Sequence, residues 1–206
     1  MSRVRPPLEP LLTAPQKALK EWAVVCRALE AGRQIVLLRK GGIIEETRHF
    51  ELIERRFLLF PTYEHQDLDS VQDDYRGWFA ETLQTKPPDD VVRMRSWAEV
   101  TDLFLTFDLD AVIALSDHYA WSADYVRMRM AYKPRKPMNV VVVRAHRLPA
   151  AVDIPNLEHF AGCKSWVPLD DGVPLDGSAP AVDDHEHGRR LAEITGVLSD
   201  ADRVAI

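Results

Sequence analysis

Cysteine is nearly absent, with only Cys26 and Cys163 among 206 residues. Two widely separated thiols make neither a disulfide framework nor a metal-thiolate set. Both read as small buried residues of a reducing, cytoplasmic compartment. Long apolar runs are missing too. No stretch approaches the ~20 residues that a membrane-spanning helix needs. The opening MSRVRPPLEPLLTAP is basic but broken by prolines, so no secretory signal is expected. The catalytic and nucleotide motifs GxSxG, HExxH, the P-loop and the dinucleotide fingerprint are all lacking, as is a PD…ExK nuclease pattern. Of the seven histidines, His185 and His187 in DDHEHG come nearest to a metal pattern, but they sit in a solvated acidic run. Neither a metal nor a cofactor is expected.

What is present fits a soluble globular chain, with 46% hydrophobic and 28% charged residues. That length supports one domain with its own core. The net charge of −6 argues against bulk electrostatic attachment to nucleic acid. Its distribution weakens the argument. Residues 170–206 carry nine acids and three bases, which leaves 23 of each in residues 1–169. Between Asp124 and Asp153 there is no acid, but there are Arg127, Arg129, Lys133, Arg135, Lys136, Arg144 and Arg147. With Trp121, Tyr125 and Tyr132 nearby, that segment suits a surface that tracks phosphates and stacks bases. The plainer alternative is a helix and a strand that turn alternate charges outward.

Texture along the chain predicts an α+β fold: β-hairpins forming a mostly antiparallel sheet or partial barrel, packed by two to four helices. Residues 1–17 form a flexible leader, 18–169 one domain, and 170–206 an acidic linker with a short helix near 187–199. The apolar runs EWAVVCRAL and QIVLLRK, separated by EAGR, read as one hairpin, and FELI with FLLFP as a second that ends at Pro61. Val71, Tyr75, Trp78, Phe79 and Leu83 recur at helical spacing. VVRMRSWAEVTDLFLTF mixes strand and helix signals. Asp108 and Ser122 are helix-cap residues. Val140–Val143 form a strand covered on both faces.

Polar groups crowd in four places. In LLRKGG, Arg39 and Lys40 precede two glycines, whose amides could approach an anion; a solvated hairpin end is the alternative. FPTYEHQ sets Glu64, a proton acceptor, beside His65, which titrates near neutrality. Its alternative is a helix start capped by Thr62. SDHYAWSADYVRMR joins His118, Trp121, Tyr125 and Arg129, the last two sharing a helix face. Core aromatics with a solvated arginine are the plainer view. FAGCKSWVPL brings Lys164 and Ser165 together, with Trp166 as an anchor.

The strings ALKEWAVVCRALEAGRQIVLLRKGGI, FLLFPTYEHQ and GCKSWVPL resemble a bacterial domain-of-unknown-function family, numbered 1802, over about Ala18 to Leu169. Some relatives of that family are linked to Mrr-type restriction endonuclease domains, so the resemblance implies a link to DNA restriction and transfers no catalytic residue. The first expected function is a nucleic-acid-associated or accessory module of a restriction or defence system, contacting DNA or RNA through Arg39, Lys40, Trp121, Tyr125, Arg129, Arg135, Lys136 and Lys164. The second is a small enzyme on an anionic nucleotide-like substrate, with Glu64, His65 and His118 as acid-base groups. The third is a protein-interaction subunit with a protein partner. The acidic tail is expected to mask the basic segment.

Overall fold

The computed structural model describes residues 17–40, 54–162, 164–169 and 172–206. The proline-rich leader through residue 16, Gly41, Gly42, FELI, Cys163, Asp170 and Asp171 lie outside the described residues. In chain order the elements are β1 (Lys17–Trp22), α1 (Ala23–Glu30), β2 (Val36–Arg39), β3 (Arg56–Thr62), α2 (Asp73–Gln84), β4 (Val91–Thr106), α3 (Leu109–Ala114), α4 (Ala123–Ala131), β5 (Met138–Pro155), β6 (Trp166–Pro168), β7 (Ala179–Pro180), α5 (Asp184–Val197) and β8 (Asp202–Val204). The fold is α+β.

β4 and β5 pair antiparallel along nearly their whole length and form the spine. The main strand order is β2-β5-β4-β3-β1-β6, with β7 added to β5 and β8 to β4. Among the described residues only β1 and β3 run parallel, so the sheet is mixed but mostly antiparallel. β3 alternates between two apolar clusters. Phe57 and Leu59 join the larger one with α1 and α2, whereas Leu58 and Phe60 join the smaller one with Phe160 and Val167. The run Val140–Val143 is fully buried, as expected for a strand covered on both faces.

Several sequence expectations hold and some do not. The helix predicted from Val71 to Gln84 is α2, which buries Tyr75 and Phe79; Leu83 instead faces solvent. Asp108 and Ser122 cap α3 and α4, accepting hydrogen bonds from the amides of Ala111 and Tyr125. VVRMRSWAEVTDLFLT is one continuous strand, without a helix. The first expected hairpin is a strand, a helix and a strand, and its two strands do not pair with each other: β2 pairs with β5, and β1 with β3 and β6. A short apolar run of Ala, Val and Leu is compatible with either helix or strand, and burial of six of the eight α1 residues against the sheet selects helix. The strand expected to end at Pro61 runs one residue further, to Thr62. Pairing of β3 with β4 has already ended at Leu58, and Pro61 stays in register only with Glu21 of β1, on one side of the strand.

The segment read as an acidic linker is structured. β7 and β8 extend the sheet, and α5 buries His187 and Ile194, with Leu198 buried at its C-terminal cap. Gly32 shows how closely this segment approaches the rest. Its φ is +69°, and a Cβ there would sit 2.6 Å from the Ala181 carbonyl oxygen. Among the described residues no helix is long and apolar enough to cross a membrane.

Candidate functional site

Side chains from β1, β2, α4 and three loops line a pocket of about 200 Å³. Its wall includes Arg39 from β2, Thr62 at the end of β3 with Glu64 and His65 just after it, Trp121 just before α4, and Tyr125 and Arg129 from the first and last turns of α4. Lys164 closes another side. All four polar segments of the sequence therefore contribute to one site. β1 adds Lys20, Glu21 and Trp22, which lay hidden in an apolar run. The signal that could have exposed them is a Lys-Glu pair interrupting that run, since charge inside an apolar stretch requires a partner.

The local fold explains each position. Trp121 is held by a stitched loop: it bridges to Val71, the Ala120 carbonyl accepts from the Gln72 amide at 3.0 Å, and the Ser122 amide donates to the Ser70 carbonyl at 2.9 Å. The buried Gln34 side chain accepts from the Ala120 amide at 3.1 Å, tying the loop to the turn before β2. Ser122 then starts α4, which presents Tyr125 and Arg129 one turn apart. Trp121 and Tyr125 are stacked at 4.3 Å, and Trp22 meets Trp121 edge-on at 4.8 Å. Trp22 and Tyr125 are half-buried, so part of each ring faces the pocket.

Electrostatics divide the pocket into a fixed part and an available part. Glu21 and Arg39 form an ion pair with side-chain exposures of 9% and 16%. Burial raises the Glu21 pKa, opposed by the Arg39 charge and hydrogen bond. Arg39 also donates to the Lys20 carbonyl at 2.9 Å, while its Nε is buried without a partner. Lys20 donates to the carbonyls of Phe160 and Gly162. Arg129 makes no ion pair among the described residues, and its guanidinium lies 5.6 Å from the Tyr132 ring centre. Lys164 is exposed and, among the described residues, donates only to the His159 carbonyl, at 3.3 Å. His65 is exposed with φ at 58°, in the left-handed region, so the chain turns sharply where it borders the pocket.

Four expected site residues lie elsewhere. His118 is buried behind the loop, its Nε2 3.7 Å from a Glu193 carboxylate oxygen, and its carbonyl accepts from the Ile35 amide. Its part is structural support for the loop. Lys40 is buried, with Nζ 3.9 Å from the Met130 sulfur, and does not line the pocket. Arg135 and Lys136 sit on the exposed turn after α4. Thr62 ends β3 and caps no helix; Asp67 caps the short turn of helix that follows. The basic segment is likewise split, with Arg129 at the pocket and Arg144 paired to Asp184 of α5. One acid of the tail does meet one base of that segment. Removing residues 176–206 would also remove buried Ile194 and Leu198. Among the described residues no cluster of three His, Cys, Asp or Glu could hold a metal ion.

A family model described as a domain of unknown function, DUF1802, matches residues 18–193. The chain belongs to that family. The DUF1802 match reaches past Leu169 into α5, so the C-terminal helix is part of the family domain. Two solved structures, of a serine-to-alanine and a tyrosine-to-phenylalanine mutant of ZmASCH from Zymomonas mobilis, are 11% identical with a TM-score of 0.40. They cover 86% of this chain and 94% and 96% of their own. A search of curated proteins gives no match.

Proposed function

We propose that this DUF1802 chain is a cytoplasmic, nucleic-acid-associated module that takes one nucleotide unit in the pocket, as an accessory part of a restriction or defence system would. The observation that carries this reading is the convergence of Arg39, Arg129 and Lys164 with the half-buried rings of Trp22 and Tyr125 in about 200 Å³. An aromatic face beside Arg129 and Lys164, neither of which makes an ion pair among the described residues, suits a planar base joined to a phosphate. Arg39 adds a buried N–H donor that still lacks an acceptor.

The test is titration with nucleoside monophosphates, followed by quenching of Trp22 and Trp121 fluorescence. Tyr125→Ala is expected to weaken binding by about 1–3 kcal/mol, the range for one base-aromatic stack. Arg129→Ala should weaken binding of the monophosphate more than that of the nucleoside. Saturating nucleotide with no quenching and no calorimetric heat would overturn the reading. A second reading, an enzyme acting on an anionic nucleotide-like substrate, is favoured by Glu21, a buried carboxyl of raised pKa in the same wall as His65. Product formation lost in Glu21→Gln with binding retained would select it.

A further inference from the structure

The pocket does not stand alone. Lys20, Thr62 and Glu64 also line an adjoining cavity of about 410 Å³. That second cavity shares Pro61, Tyr63, Pro87 and Arg93 with a third of about 390 Å³. The first and third cavities have no lining residue in common, so the three form a row with the end of β3 as their shared wall. Among the described residues the row is lined by nine Lys and Arg side chains against six carboxylates, in a chain whose net charge is −6. Positive lining on an acidic protein is a local property of this surface.

We infer that this row of cavities is a groove for single-stranded nucleic acid several nucleotides long, with the Trp121–Tyr125 pocket holding one nucleotide and the arginines of the third cavity holding the backbone beyond it. The inference rests on the reading of the pocket given above and extends it to a substrate class. The middle cavity supplies apolar and aromatic surface. Leu157 is 38% exposed, the Lys86 ammonium lies 5.6 Å from the half-buried Tyr63 ring centre, and Phe60 and Phe160 are buried beneath them as the apolar floor. The third cavity supplies charge. Arg93 is held by Asp153 through two bonds of 2.7 Å, and Arg27 lies 3.6 Å from Glu81. Arg95 is exposed and makes no ion pair among the described residues. Arg147 is exposed and reaches only backbone carbonyls, at 3.4 Å. Alternation of ring faces with cations along a row matches a strand whose bases are unstacked from a partner. A duplex keeps its bases inside and would leave Tyr63 and Leu157 uncovered.

The test is fluorescence anisotropy with labelled oligo-dT and oligo-U of one, two, four and eight nucleotides, plus a duplex and poly-glutamate at matched charge. Affinity is expected to rise with length to a plateau near about four nucleotides, and the salt dependence should steepen by about 0.7 per added phosphate contact. The dT and U arms decide between DNA and RNA. Arg95→Glu combined with Arg147→Glu should weaken the octamer about tenfold or more and leave the mononucleotide unchanged. If charge reversal disturbs folding, the Arg95→Gln, Arg147→Gln pair should lower the salt slope by about 1.4. An octamer bound no tighter than a mononucleotide overturns the groove and leaves the pocket reading intact. Failure of both ligands overturns the pocket reading as well. Equal or tighter binding of duplex or poly-glutamate overturns the choice of a single strand.

Discussion

At the pocket wall, Glu21 and Arg39 are paired with most of both side chains out of water, whereas on α5 Glu186 holds the exposed Arg189 and the part-buried Arg190, with its carboxyl pKa pulled down to about 2 by those two hydrogen bonds. The distances are similar and the consequences are opposite. Burial raises the Glu21 pKa despite its arginine, because losing water costs the carboxylate more than one cation returns. At the surface there is almost no such loss, so the arginines dominate. The C-terminal region buries a different kind of group. His187 on α5, His118 against Glu193, and His146, stacked on Trp97 at 4.0 Å, all have pKa values lowered first by burial. The pocket thus keeps a charged pair inside, and the C-terminal contact keeps neutral imidazoles inside.

Breaking the buried pair should have the largest effect. Glu21→Leu is expected to cost about 3–5 kcal/mol, measured by urea unfolding, because it strands a guanidinium that cannot shed its proton. Arg39→Met should cost less, since the orphaned carboxyl can protonate. The double variant should recover much of the loss. Equal costs for the two single variants would show that the pair is solvated.

The second expectation concerns pH and separates the regions by sign. The His146 pKa falls from 6.5 to about 4 in the folded chain. Between those values the unfolded state binds a proton that the folded state does not, so stability drops as pH falls from 6.5 toward 4. Glu21, with its pKa raised, acts in the other direction and loses stability as pH rises through its range. Thermal melts of His146→Phe, which keeps the stack on Trp97, should show a flatter acid limb than the parent. An unchanged limb would move that acid sensitivity to another group. The smallest effect is expected on α5, where Glu186→Gln should leave the melting temperature nearly unchanged in 0.5 M salt; a large drop would erase the contrast between the two regions.

Much of the framework is legible in the sequence, because it is local. Period 3.6 fixes α2 through Tyr75 and Phe79, Asp108 and Ser122 mark helix starts through their own side-chain bonds, and the unbroken valine run marks β5. Polar crowding likewise points to Arg39, His65, Tyr125, Arg129 and Lys164 one segment at a time. Lys20, Glu21 and Trp22 escape notice because α1 and β1 share one apolar texture, and His118 looks available because its burial depends on α5, 75 residues further along the chain.

The sequence by itself determined where α3 and α4 begin, that Val140–Val143 form a strand covered on both faces, and which short segments carry polar chemistry, since neighbouring residues set those properties. Tertiary structure alone decided that four such segments meet in one pocket, that the acidic tail is a packed helix with edge strands, and which charges keep water. Those outcomes depend on pairings between distant positions, such as Glu21 with Arg39 and Arg144 with Asp184, and on desolvation, which exists only once the chain has closed around a side chain.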